Sequence, residues 1–397
     1  MSENERQFLP ATPPPPSSEV QSAPNVGDAP SASPPDLGLP QRSLVQKPRW
    51  PHPNLIWSFL WCLLFIIVTQ TPGAIAALVV VGGAAILKPE TVPLESLSTP
   101  SKLIQSETMN VALGLAFFIT EIVVIGFSLL VIRLVVGSEW RRLLGLRKPG
   151  LRHTLLALAS FPALVLLGNI AYDILRKFLH VPSLADFGLS GMEEMVQVFS
   201  KWQWTFAVVV IGMGPGIGEE LWCRGFLGRG LVGNYGIVLG VLFSSFFFGL
   251  IHVDPCQGAM AMLMGIWLHF VYLTTKSLWL PMLLHALNNS LAVLDTRIPQ
   301  LAVIETSPSD IPIIVYMAAL LLLASTAYAL YQSRARLAPN ISDQLLRWRP
   351  AFAGVEHPPD GSGMHLVRPG PSLAVAASVG GALALFAAAC GVWLAGR

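Results

Sequence analysis

Three groups of side chains in this sequence could do acid–base chemistry, and all three lie in strongly apolar text. Glu219, Glu220 and Arg224 follow a glycine-rich run, His252 closes an apolar segment, and His285 and Asn289 stand four residues apart in another. Ionisable residues inside apolar spans are expensive, so each is a functional candidate by default. Glu220 and Arg224, at i and i+4, can pair on one helix face. Glu219 is rotated by about 100° from Glu220, so the two carboxylates cannot do the same job. One can be neutralised by Arg224 while the other meets a different neighbour. His285 and Asn289 likewise share a face. Two histidines, a glutamate and an asparagine on three helices supply a base, a polariser and donors for an oxyanion. Taken alone, an E-E-x-x-x-R pattern reads more readily as structural ion pairing.

The spacing argues that these residues meet. A turn at Gly233-Asn234-Tyr235-Gly236 makes the flanking apolar segments a helical hairpin. Glu219 and His252 then stand roughly 22 and 27 Å up antiparallel helices at 1.5 Å per residue, at nearly equal depth. The run Gly212-Met213-Gly214-Pro215-Gly216-Ile217-Gly218 is poor helix interior. It is consistent with close helix packing through Gly212/Gly216 and Gly214/Gly218, or with a helix that breaks and restarts near Pro215. Its spacing is not that of a dinucleotide-binding loop.

Other polar residues carry less. Glu121 lies in mid-span and either pairs with a base or lines the cavity. His269 sits among Leu268, Phe270 and Tyr272 and reads as packing. Asp254 either orients His252 or caps the next helix. Cys223, beside Arg224, reads as packing or as a nucleophile. Glu193 and Glu194 fall in a loop and read as solvated. The four cysteines show no CxxC spacing and no disulfide framework.

The elements that must hold these groups are membrane helices. Of 397 residues, 53% are hydrophobic and 12% charged, about half the charge of an ordinary soluble domain. A surface facing lipid explains that deficit. The net charge of +2 gives no reason to expect a nucleic-acid partner. Apolar stretches long enough to span start at Leu55, Val111, Thr154, Trp204, Ile237, Ala259, Leu278, Ile311 and Leu373. The fold class is therefore an all-α polytopic transmembrane bundle of about eight or nine spans. Basic clusters at Arg42–Arg49, Arg141–Arg152 and Arg334–Arg349 fall on one side, which makes the N-terminus cytoplasmic by the positive-inside rule. Residues 1–52 are Pro- and Ser-rich with no apolar signal region, and read as a disordered tail. Residues 53–332 form the bundle, 333–371 a polar linker, and 372–397 an appended Ala/Gly-rich span. No internal repeat of the transporter kind is visible.

Three segments now resemble a known family. Glu219-Glu220-x-x-x-Arg224, Phe248-x-x-x-His252 and His285-x-x-x-Asn289 are similar, in order and separation, to the three motifs of the CAAX prenyl protease type II and bacteriocin-processing or self-immunity membrane proteins, the CPBP or ABI family. The resemblance covers about residues 200–295. It implies an intramembrane endopeptidase, in which Glu219 activates water, His285 orients it or shares the proton, and His252 and Asn289 stabilise the oxyanion. Glu220 and Arg224 then hold the site together. It implies a peptide or protein substrate, a lipid bilayer and a bacterial plasma membrane, with prenylated tails as a eukaryotic use and peptide maturation or immunity as prokaryotic ones. Family members are also described as metalloproteases, and Glu219, His252 and His285 would be the zinc ligands if zinc is used. There is no H-E-x-x-H, and the motifs decide neither zinc nor its absence. Cys223 departs from the aromatic that family members carry before the arginine. A transporter or proton relay using the same buried charges, or an inactive scaffold member of the family, remains an alternative.

Overall fold

The computed structural model describes residues 53–91, 106–183, 186, 192–294, 297–298, 310–339 and 355–396. The N-terminal tail expected over residues 1–52 lies outside them. The main helices are α1 (Leu55–Leu87), α2 (Glu107–Val135), α3 (Leu151–Asp173), α4 (Met192–Lys201), α5 (204–235), α6 (237–250), α7 (Pro255–Thr275), α8 (Trp279–Leu294), α9 (Ile313–Gln332) and α10 (Leu373–Ala395). The expected all-α membrane bundle is present.

Among the described residues, seven stretches are long and apolar enough to cross a membrane, one of them the 47-residue run Trp204–Leu250. That run holds two helices, α5 and α6. Gly236 breaks it at φ 77°, ψ 177°, a conformation that glycine adopts without steric penalty. Helix α8 has only 16 residues, so it is about 24 Å long at 1.5 Å per residue. Splitting the long run and adding this short helix accounts for the eight to nine spans expected from the sequence. Pro72 does not split α1, which runs through it. Large apolar side chains such as Ile67, Leu78, Val111, Ile122 and Ile313 are exposed, the surface that a bilayer covers.

The core around α5 is aromatic. Trp222 stacks on Phe65 at 4.5 Å, and Trp61 meets Phe226 edge-on at 5.3 Å. Cys62 and Cys223 are buried in the same cluster. A two-stranded antiparallel pair, β1 (Arg336–Pro339) and β2 (Met364–Val367), lies between α9 and α10.

Candidate active site

Glycine backbone contacts bring the site together. Helix α5 continues through Pro215 without a break: Met213 and Gly214 both have right-handed helical angles, and neither glutamate is in a first turn. The close-packing reading of the glycine run therefore holds, and the restart reading does not. Turns of π type flank Gly214–Glu220 on both sides, at Val208–Met213 and Leu221–Leu227. Such turns recur at functional sites because they re-aim the side chains that follow.

The two glycine pairs serve two neighbours. Gly212 and Gly216 face α8: a Cβ on Gly216 would stand 2.8 Å from the backbone N of Ala286, and one on Gly212 would collide with Ser290. Ala286 follows His285 and Ser290 follows Asn289, so this seam sets the third motif against the first. Gly214 and Gly218 face α2, where a Cβ on Gly214 would stand 2.6 Å from Cγ of Glu121, and one on Gly218 would strike Val124. Small residues at a helix crossing let backbones approach this closely. Helices α6 and α7 meet the same way, with Gly258 against the Gly249 carbonyl.

Within that frame, Glu220 and Arg224 are fully buried and paired at 2.6 Å. Nη2 of Arg224 donates to the Gly265 carbonyl of α7 at 3.0 Å, and its guanidinium lies 4.3 Å over the Phe248 ring. His285 donates from Nδ1 to Oε1 of Glu220 at 3.0 Å. Its Nε2 stands 4.0 Å from Oε2 of Glu219 and accepts from the Asn289 amide at 3.2 Å. The Asn289 amide oxygen accepts in turn from Asn288 at 3.3 Å. Phe248 meets both His252 and His285 edge-on, at 5.2 and 5.4 Å. It is thus the aromatic hinge between the second and third motifs.

The structure therefore brings together Glu219, Glu220, Arg224, His285 and Asn289, and links His252 to them through Phe248. Nδ1 of His252 donates to the Phe248 carbonyl at 2.8 Å. Its Nε2 therefore donates only when the ring is protonated on both nitrogens. Asp254 caps α7 by accepting from the Gln257 amide at 2.8 Å. Cys223 is fully buried in the aromatic core, where packing explains it. His269 packs its buried ring against Tyr272.

Two features were missed in the sequence. Glu121 reads there as a mid-span acid that pairs with a base or lines the cavity, with its place beside Glu219 unseen. Here it lies on Gly214 and interacts electrostatically with Glu219. Oε2 of Glu121, of Glu219 and of Glu220 are all buried and accept no hydrogen bond. Val253 takes a left-handed backbone, φ 63°, which a β-branched side chain rarely tolerates. It is the residue after His252, and no sequence signal marks it.

Glu219, His252 and His285 do not converge as metal ligands, and among the described residues no three His, Cys, Asp or Glu side chains do. His285 Nε2 meets an amide, and no step below runs through a metal.

No curated protein and no solved structure matches the chain. Residues 201–291 match a family profile described as Rce1-like, type II CAAX prenyl endopeptidase Rce1-like. The match begins just before α5 and ends within α8, so it contains all three motifs. The segment that carries the buried glutamates, histidines and asparagine is thus similar to the Rce1-like, type II CAAX prenyl endopeptidase family.

Proposed function

We propose that this chain is an intramembrane endopeptidase that uses Glu219 to activate water against a peptide bond. The observation that carries this reading is the placement of His285 between two carboxylates, bonded to Glu220 and 4.0 Å from Glu219. Glu220 is committed to Arg224 and His285, while Oε2 of Glu219 is unbonded. A water can donate a hydrogen bond of about 2.8 Å to the unbonded Oε2 of Glu219, beside the His285 ring whose Nε2 accepts from Asn289. Glu219 takes one proton as the water oxygen bonds to the carbonyl carbon. The negative charge that forms on the carbonyl oxygen is met by the second N–H of Asn289 and by Nε2–H of a protonated His252. When the C–N bond breaks, the proton returns from Glu219 to the leaving nitrogen. Arg224 lowers the cost of the buried Glu220 charge, and Glu220 fixes the tautomer of His285.

The family match supports a peptide substrate at the bilayer, and a prenylated CAAX peptide is the probe chosen to test it. The purified full-length protein in liposomes is offered an internally quenched, prenylated CAAX peptide. Cleavage is expected, with a loss of about 10²-fold or more in Glu219→Gln and in His285→Ala, the range for a removed general base. Cleavage at an unchanged rate in both variants would sink the reading.

A further inference from the structure

One face of α3 changes character along its length. Leu164, Gly168, Tyr172 and Arg176 are spaced four apart, so they run up one side of the helix. Leu164 and Gly168 line an apolar groove of about 490 Å³, together with Ala171, with Met264 and Trp267 of α7 and with Ala327 of α9. A Cβ on Gly168 would stand 3.5 Å from the Met260 methyl, an ordinary contact. The groove is thus space that larger side chains at Gly168, Ala171 and Ala327 would take. Its size falls within the range of about 300–1,000 Å³ usual for ligand pockets.

Tyr172 and Arg176 line a second, polar cavity of about 440 Å³, with Asp173, Lys177, His180 and Asp186. Arg176 donates to both oxygens of Asp186, at 2.6 and 3.1 Å, and Lys177 donates to Asp173 at 2.6 Å. These two cations and two carboxylates together carry no net charge. All four side chains keep some exposure, from 21% at Asp173 to 59% at Lys177, so their charges can still meet a ligand.

The depths match one leaflet. Helix α3 begins beside the basic stretch 141–152, and Arg176 stands in the π turn, Ile174–Phe178, that continues its far end. From Leu164 to Arg176 the helix climbs about 18 Å. Trp267 lies equally far below Pro255, where α7 begins. Half of a bilayer's hydrocarbon core is about 15 Å. The groove therefore gives way to charges at the depth where a lipid's chains give way to its headgroup.

We propose that this groove and cluster bind one zwitterionic phospholipid of the phosphatidylethanolamine class, from the leaflet opposite the basic stretch. One acyl chain lies in the groove, the phosphate meets Arg176 and Lys177, and the ammonium meets Asp173 and Asp186. Basic pockets between membrane helices take anionic headgroups. Here two carboxylates stand among the cations, which favours a headgroup carrying both signs. A primary ammonium also offers three N–H donors to carboxylates, whereas a choline offers none. The inference is independent of the peptidase reading.

Native mass spectrometry of the full-length protein in detergent, with added lipid, tests this without a peptide substrate. One phosphatidylethanolamine per chain is expected, bound about fivefold or more tighter than phosphatidylglycerol or phosphatidylcholine. Ala171→Phe fills the groove. Lys177→Gln removes only an exposed ion pair, which contributes little to stability. Each should weaken binding about tenfold. Glycerophosphoethanolamine, the same headgroup without acyl chains, should not displace the lipid. Equal affinity for the three lipids overturns the proposal, because adventitious bilayer lipid would bind in that way. Unchanged binding in either variant overturns it too, as does displacement by the chain-free headgroup. Should Ala171→Phe fail to fold, Ala327→Leu narrows the same groove from α9, and unchanged binding in that variant is equally fatal.

Discussion

Nδ1 of His285 is bonded to Glu220, not to Glu219: it stands 3.0 Å from Oε1 of Glu220, while Glu219 faces the opposite nitrogen at 4.0 Å. One imidazole therefore has a fixed side and an open side. Glu220 is wholly buried and committed twice, whereas the Glu219 side chain is 19% exposed. Adjacent carboxylates with such different surroundings should fail differently. Glu220→Gln leaves Arg224 as an uncompensated buried charge, a loss of about 3–5 kcal/mol. Glu219→Gln breaks no ion pair of that kind. Thermal unfolding together with peptide cleavage separates them: a large drop in midpoint is expected for Glu220→Gln, and a nearly intact midpoint with abolished cleavage for Glu219→Gln. Equal midpoints would contradict the division of labour.

The glycine seams make a second prediction. A Cβ at Gly216 meets the backbone of Ala286, which cannot rotate away as a flexible side chain would. Gly216→Ala must push α8 off α5 and carry His285 and Asn289 with it. Overpacking of this kind costs about 1–3 kcal/mol. Gly126 on α2 has nothing within 4 Å, so Gly126→Ala is the control. Cleavage and thermal midpoint should both fall in the first variant and neither in the second. If Gly216→Ala keeps full activity, the seam does not position the site.

These seams also show what could be read from residue order and what could not. Glycines four apart announced close packing, and i, i+4 spacing announced the Glu220–Arg224 pair, because helix periodicity fixes both locally. Counting residues on either side of the turn put Glu219 and His252 at similar depth, and the break does fall at Gly236. Which neighbour each glycine pair would meet was not legible, since rotation of α5 about its axis is set by all its partners at once. The placement of Glu121 beside Glu219 follows from that rotation. The burial of Val355 and Glu356 was hidden for a different reason. Residues 333–371 are polar and aperiodic, so no pattern shows that Val355 and Glu356 are buried.

Lys276 gives a pH prediction. It ends α7 with a left-handed backbone, φ 52°, and lies just beyond the apolar span. Burial, and then the neighbouring Arg147 charge, lower its pKa from the ordinary lysine value of 10.5 to about 8; Glu356 opposes this more weakly. Between those two values the unfolded chain holds a proton that the folded protein has released. Stability attributable to this residue therefore rises with pH across that window. Lys276→Met removes the titration. Its thermal midpoint should exceed that of the wild type at pH 7, and the difference should shrink between pH 8 and 10.5. A difference that stays constant over that range would show that the lysine is not held under this strain.

Val253 offers the opposite trade. A valine in the left-handed region is strained by about 1–3 kcal/mol, and its side chain is exposed, at 61%. Packing does not explain why valine stands there. The strained turn lies between His252, anchored on the Phe248 carbonyl, and Asp254, which caps α7. It thus fixes the angle at which the His252 ring leaves α6. Val253→Gly relieves the backbone strain, but it also frees the turn, since glycine visits many more conformations. The two effects act on different measurements. The thermal midpoint is expected to stay level or rise, while kcat for peptide cleavage falls and KM changes little, because His252 is assigned to the oxyanion and not to substrate binding. Val253→Asn, which tolerates the left-handed region while keeping a side chain, should recover most of the lost kcat. A glycine variant with wild-type kcat would mean that the strained turn has no part in aiming His252.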